Sequence, residues 1–222
     1  MARDSANRIS PEELLQAYTL GYFPMARARD DEEVVWVLPD QRGVIALSDA
    51  RLPRRLKRTL KADPFEIRIN TAFAQVIAAC AEATKSREET WINDAIIEAY
   101  SELHFRGRAH SVECWRDDQL VGGLYGIEMG AVFCGESMFS RETDASKIAM
   151  AHLMARLKLG GFHMIDAQFV NEHLTQFGLK AVPDGDYQTL LAKALEAPVK
   201  PVFSSDFQLS TVRVLQSITQ TS

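Results

Sequence analysis

An α+β fold in two unequal units is what the sequence predicts, and three features predict it. The chain has 222 residues, 46% of them hydrophobic, enough to bury one large core beside a smaller one. Apolar residues recur at helical spacing in some stretches and alternate in others, and successive short apolar runs separated by turn residues read as an antiparallel meander. Ala62-Asp63-Pro64 interrupts the pattern after a basic helix. A boundary there gives a small N-terminal α+β domain, residues 1–62, and a larger domain with a C-terminal tail, residues 63–222.

In the first unit, Ser10, Pro11 and Glu13 form a helix start in which Ser10 and Glu13 cap each other, and Leu14, Leu15 and Tyr18 make its buried face up to Gly21. Tyr22 to Met25 reads as an apolar loop, and residues 34–38 and 44–47 as two strands around the turn Pro39 to Gly43. A short helix near Pro53 turns Leu56 and Leu60 inward and carries Arg51, Arg54, Arg55, Lys57, Arg58 and Lys61 on or beside it, with no acid between the first and last. Such a run is either a solvated face or a contact for something anionic, and mutual repulsion favours a phosphate backbone.

In the second unit, Phe65, Ile67 and Ile69 alternate as a strand. Asn70 is placed to cap a helix bearing Phe73, Val76, Ile77 and Cys80, and after a polar loop over 83–89 Asn93 caps a second with Ile96, Tyr100 and Leu103. Strands over 110–115, 119–128 and 131–139 follow as the meander. Thr143 or Asp144 then caps a long helix that ends at Gly160-Gly161. A strand from Phe162 to Phe169 would put Asp166 and Gln168 on one face. Asn171 opens a further helix, Leu179 to Val182 is a strand, Asp186 to Leu195 a helix, and residues after Pro198 form a tail.

The formal net charge of -5 excludes a protein that coats nucleic acid through a global field, so any such contact is a local patch. No apolar run is long enough for a signal peptide or a membrane span, which predicts a cytoplasmic protein. Cys80, Cys114 and Cys134 are odd in number and widely spaced, as suits reduced, buried thiols, and neither they nor the histidines have metal-ligand spacing. The most unusual stretch is Phe133 to Ser140, where Glu136 is the single charge in an apolar and small-residue run. It either faces water at a sheet edge or marks a binding site, and alternation puts it on the same face as Met138.

The order of elements after residue 63 resembles the fold of the GCN5-related N-acetyltransferases. Their glycine-rich pyrophosphate loop would fall at Ser140 to Ser146, which has no glycine and two acids. That counts against an acyl-CoA-dependent N-acyltransferase, the rival reading. Between about Leu14 and Val182 stand, in order, Gly21-Tyr22-Phe23-Pro24, Pro39 to Arg42, Thr90-Trp91-Ile92, His110 to Glu113, Val121 to Gly126, Phe133 to Ser140, Ala145-Ser146-Lys147, and Ile165 to Gln168 with Asn171 and His173. In these motifs the chain resembles the bacterial leucyl/phenylalanyl-tRNA protein transferases.

The resemblance implies an acetyltransferase-like catalytic domain behind a small N-terminal one. It also implies an enzyme, expected as a monomer, that moves Leu, Phe or Met from aminoacyl-tRNA to the N-terminal amine of proteins beginning with Arg or Lys, marking them for degradation. Aminoacyl-tRNA is an activated ester, so no metal or cofactor is expected. By resemblance Asp166 and Gln168 are the catalytic pair: Asp166 orients Gln168 and draws away the ammonium proton, and Gln168 positions the amine or stabilises the tetrahedral intermediate. Phe133, Leu124, Met138 and Leu153 would line the donor side-chain pocket, with Ser137 and Glu136 beside them, Glu136 meeting a substrate cation. Asn171 would touch the terminal nucleotide. Similar proteins carry tryptophan where this chain has Met25, and Trp-Trp-Ser-Pro where it has Trp36-Val37-Leu38-Pro39, which leaves Trp91 as the platform for the terminal adenosine.

Overall fold

The structure is a computed structural model that describes residues 9–83 and 90–219. The polar loop expected over 83–89 lies, from residue 84 on, outside the described residues, as does the N-terminal stretch 1–8.

The first helix, α1 (Pro11–Thr19), starts as its sequence dictates: Ser10 and Glu13 make the reciprocal capping box, and Leu14 and Tyr18 are buried. Tyr22 to Met25 is not a loop. Phe23–Ala26 is a strand, β1, paired antiparallel with β2 (Val34–Val37) in a separate two-stranded sheet. The next strand, β3 (Gln41–Ala46), begins inside the expected turn and leaves β2 altogether. It enters a seven-stranded sheet between a strand at Met164–Asp166 and one at Lys180–Pro183. The division expected at 62/63 therefore has a strand from its N-terminal side lying within the large sheet. The basic helix α2 (Arg54–Lys61) buries Leu56 and Leu60 as its spacing requires.

The large sheet is mixed and runs β4 (Glu66–Ile69), β5 (Ala109–Arg116), β6 (Gln119–Met129), β7 (Val132–Ser140), β8 (Met164–Asp166), β3, β9 (Lys180–Pro183). Every neighbouring pair is antiparallel except β7 and β8. One face is covered by α1, α3 (Phe73–Ala81), α4 (Asp94–Phe105) and α7 (Asp184–Leu195). The other is covered by α2, the long helix α5 (Ala145–Gly160) and α8 (Thr211–Thr219). Lying between sheet and α8, α5 is buried on nearly every side, which explains why its sequence is apolar without a clean stripe.

Several local expectations fail for identifiable reasons. Asn70 does not cap α3: it sits at φ 59, and its side chain accepts from the Ser111 N–H. The α3 start is satisfied by Glu113, a buried carboxylate that accepts from the Ala72 N–H, Thr71, Ser111 and Trp115. Asp144 occupies the cap position of α5 in a left-handed conformation and bonds Lys147 instead of the helix N–H groups. The tail contains α8, whose buried Val214 and Ile218 are spaced four apart, a signal masked by the weak helix formers Thr, Val and Ser around them. All three cysteines are buried, and among the described residues no helix is long and apolar enough to cross a membrane.

Candidate active site

The parallel strands β7 and β8 stay paired as far as Cys134 and Asp166 and then part. In the opening between their C-terminal ends lies a cavity of about 450 Å3. Of the residues singled out from sequence, Trp91, Leu124, Glu136, Ser137, Met138, Leu153, Gln168 and Asn171 all line it. Phe133 does not. It is wholly buried below the cavity, stacked against Phe203.

β7 bulges at Glu136. Gly135 pairs with Gly126 and Ser137 with Tyr125, so Glu136 is an extra residue with no partner on β6. A bulge moves every later side chain to the opposite face. Glu136 and Met138 therefore do not share a face: Met138 packs with the α5 layer, whereas Glu136 bonds tyrosines of the α1 and α4 layer. Glu136 Oε1 accepts from Tyr18 at 2.6 Å and from Gln168 Nε2 at 3.0 Å, Oε2 accepts from Tyr100 at 3.0 Å, and the two phenol oxygens are 2.5 Å apart. Burial lifts the Glu136 carboxyl from 4.5 to about 7, against the lowering effect of the two tyrosine hydrogen bonds. Burial, with the Glu136 charge next, also holds Tyr18 and Tyr100 well above the usual phenol range.

The strand expected from Phe162 to Phe169 is only three residues long. Gln168 lies beyond its end at φ 57, so strand alternation does not govern where its side chain points. What fixes it is Asp166. The Asp166 carboxylate accepts from Arg42 Nε and Nη2 at 2.8 and 2.6 Å, from the Tyr187 hydroxyl at 2.8 Å and from the Gln168 backbone N–H at 2.9 Å. Those four donors use its four lone-pair positions. Asp166 is fully buried and does not line the cavity, so no acceptor site is left on it for a substrate proton. Arg42 is held in turn between the rings of Phe23 and Tyr187 and donates to the Gly21 carbonyl. Burial works against its charge, but Asp166 more than offsets this and holds the guanidinium above its ordinary value.

Close backbone packing completes the turn. A Cβ on Gly43 would stand 2.2 Å from the Phe169 carbonyl oxygen, so glycine there lets residues 167–170 lie against β3. Asn171 caps the short helix α6 (Glu172–Thr175) through the His173 N–H, and His173 and Leu174 face the cavity. Sequence reasoning missed Arg42, Tyr18, Tyr100, Tyr187 and Met150 as parts of the site. The available signal was that a buried tyrosine in place of phenylalanine needs a partner for its hydroxyl.

The basic residues lie apart from the cavity, with α2 on the α5 and α8 layer. Arg54, Arg55, Lys57, Arg58 and Lys61 make no ion pair among the described residues. Arg51 connects the two regions: its backbone N–H and guanidinium donate to the carbonyls of Phe177 and Thr175, at the end of α6. Among the described residues no three His, Cys, Asp or Glu side chains are grouped to hold a metal ion.

A family model described as leucyl/phenylalanyl-tRNA protein transferase matches residues 44–192, and a model for that enzyme's N-terminal domain matches residues 7–40. A leucyl/phenylalanyl-tRNA protein transferase of Maricaulis maris is 48% identical over 216 residues, 95% of this chain and 97% of the relative. One of Paramagnetospirillum magneticum is 55% identical over 182 residues, 82% of this chain and 87% of its own. One of Phenylobacterium zucineum is 54% identical over 186 residues, 84% of each.

Proposed function

The chain belongs to the leucyl/phenylalanyl-tRNA protein transferase family, and from that premise we propose that it moves Leu, Phe or Met from aminoacyl-tRNA to the N-terminal amine of proteins that begin with Arg or Lys, marking them for degradation. It does so as a cytoplasmic monomer. The observation that carries this reading is the two-sided cavity. Leu124, Met138, Met150, Leu153 and Ile165 supply apolar lining for a donor side chain, while Glu136 and Gln168 supply the polar part of the wall. Methionines at two of those positions suit a pocket that accepts Leu, Phe and Met alike, side chains of different shape that are not branched at Cβ.

In the reaction the acceptor nitrogen attacks the ester carbonyl, a C–N bond forms, and the bond to the tRNA's terminal ribose oxygen breaks. An α-amine titrates near 8, so a fraction is neutral at cytosolic pH and placement is the main requirement. Gln168 supplies placement: its Nε2 is committed to Glu136 at 3.0 Å, and its amide oxygen, with no partner among the described residues, accepts from the attacking amine. Asp166 is a positioning residue, holding the Gln168 backbone. The tRNA phosphates lie along α2, and its terminal nucleotide reaches the cavity past α6, with Asn171 and Trp91 beside it. The order of elements from β4 onward and the parting of β7 and β8 support an acetyltransferase-like reading of the large sheet.

The test is transfer of label from charged Phe-tRNA to a peptide beginning with Arg, with and without acetyl-CoA. Label appearing in the peptide whenever tRNA supplies it supports the reading. Acyl transfer only from acetyl-CoA would replace it with an acyl-CoA enzyme.

A further inference from the structure

Peptide formation from an ammonium acceptor releases one proton for each bond made, and Asp166, with its lone pairs filled, is not built to take it. We propose that Glu136, Tyr18 and Tyr100 form a proton reservoir, in which the Glu136 carboxylate takes the proton that the acceptor ammonium must lose. This rests on the transfer reaction proposed above.

The geometry carries it through a count of protons. Three oxygen groups form a closed triangle: Tyr18 to Tyr100 at 2.5 Å, Tyr18 to Glu136 Oε1 at 2.6 Å, Tyr100 to Glu136 Oε2 at 3.0 Å. With Glu136 ionised, two hydroxyl protons must serve three contacts, and one pair of oxygens is left without a hydrogen between them. With Glu136 protonated there are three protons for three contacts. The acid donates to Tyr100, Tyr100 to Tyr18, and Tyr18 back to Oε1. The cluster thus accepts a proton without moving a heavy atom, while Gln168 Nε2 keeps its bond to Oε1.

Other groups around it leave this balance in place. Tyr18 comes from α1, Tyr100 from α4, and the Tyr125 ring of β6 packs edge-on against Tyr100. The Asp166 charge favours protonation of Glu136 and the Arg42 charge opposes it, and these two are paired with each other. Because Glu136 lines the cavity, the acceptor can reach it and the proton can leave by the same opening.

The step balances. The ammonium gives one proton to the Glu136 carboxylate, and the neutral nitrogen attacks the ester carbonyl. A second N–H proton passes to the departing ribose oxygen as the C–O bond breaks, and Glu136 then returns its proton to water. The distinction from a purely structural cluster lies in the titration of Glu136, which 13C NMR of glutamate labelled at the carboxyl reads without turnover, the Glu136 signal being the one that disappears in Glu136→Gln. The expected midpoint is near neutrality, and Tyr100→Phe and Tyr18→Phe, each removing a donor to the carboxylate, should raise it by about one pH unit, which converts to about 1.4 kcal/mol. The acid limb of kcat/KM should move up by the same amount.

A wild-type midpoint in the ordinary carboxylate range overturns the proposal even if transfer is intact. So does a Tyr100→Phe enzyme that is slower at every pH with its limb unmoved. Absence of transfer from Phe-tRNA with a neutral midpoint instead overturns the functional reading, and the proposal with it. Should either tyrosine variant fail to fold, the wild-type titration still decides.

Discussion

Replacing Asp166 with alanine should unfold this protein more readily than it disarms it. Arg42 and Asp166 have side chains 1% and 0% exposed and meet at 2.6 Å. Removing one partner of such a pair strands the other charge in the interior, at a cost of about 3–5 kcal/mol. For a chain of this size each kcal/mol moves Tm by about 2–4 °C, so Asp166→Ala should melt roughly 6–20 °C lower. Loss of transfer in that variant alone would then say nothing about chemistry. The informative variant is the double replacement Arg42→Met with Asp166→Leu, which removes both charges and keeps apolar volume between Phe23 and Tyr187. It should recover most of the lost stability, because buried pairs gain little over well-packed apolar groups. Transfer should stay low, because the Gln168 N–H has lost its acceptor. Thermal melts together with kcat and KM for labelled Phe-tRNA separate the two effects. Asp166→Ala melting within about 1 kcal/mol of the wild type would refute the argument that a stranded buried charge dominates.

Other outcomes follow from the same geometry. Glu136 is lifted from 4.5 to about 7 in the folded chain, so between those values the native state holds more protons than the unfolded one and stability falls as pH rises. Glu136→Gln should remove that fall and, at pH 8, be more stable than the wild type by up to about 3 kcal/mol in urea unfolding, while transferring poorly. Equal pH dependence of the two proteins would count against it. Reversing Arg54, Arg55 and Arg58 to Glu should leave the melt nearly unchanged, since none of them is ion-paired among the described residues and all three lie on the exposed side of α2. It should weaken use of full-length tRNA and flatten its salt dependence by about 0.7–0.9 in log–log slope for each phosphate no longer neutralised. Unchanged affinity for charged tRNA would remove α2 from the nucleic-acid path.

Much of the fold is legible because it is local. The capping box at Ser10 and Glu13, the Asn93 cap and the Gly161 stop at φ 84 are written in a few adjacent residues, and each forms as its sequence implies. The site is legible by composition more than by geometry. Glu136 in β7 and Gln168 just after β8 line the cavity, while Asp166, the last residue of β8, is buried outside it, and the arguments from alternation fail at both Glu136 and Gln168. At Glu136 a bulge breaks the period of two, and at Gln168 the strand has already ended. Neither a bulge nor an early strand end has a compositional signature here. Arg42 is hidden for a different reason. Its neighbours in sequence have the composition of a turn, and its partner is 124 residues away.

The place of β3 in the sheet sets a timetable for the enzyme. The ribosome delivers residues 41–46 early, but both of their hydrogen-bonding neighbours, 164–166 and 180–183, emerge only after most of the chain has been made. Until then Arg42 has no carboxylate to meet and residues 167–170 no strand to lie against. Contacts so far apart in sequence close late and slowly. A nascent chain that has not yet delivered residues 164–183 therefore lacks the strands that hold the Gln168 turn against β3, and the amine placement proposed for Gln168 has to wait for them.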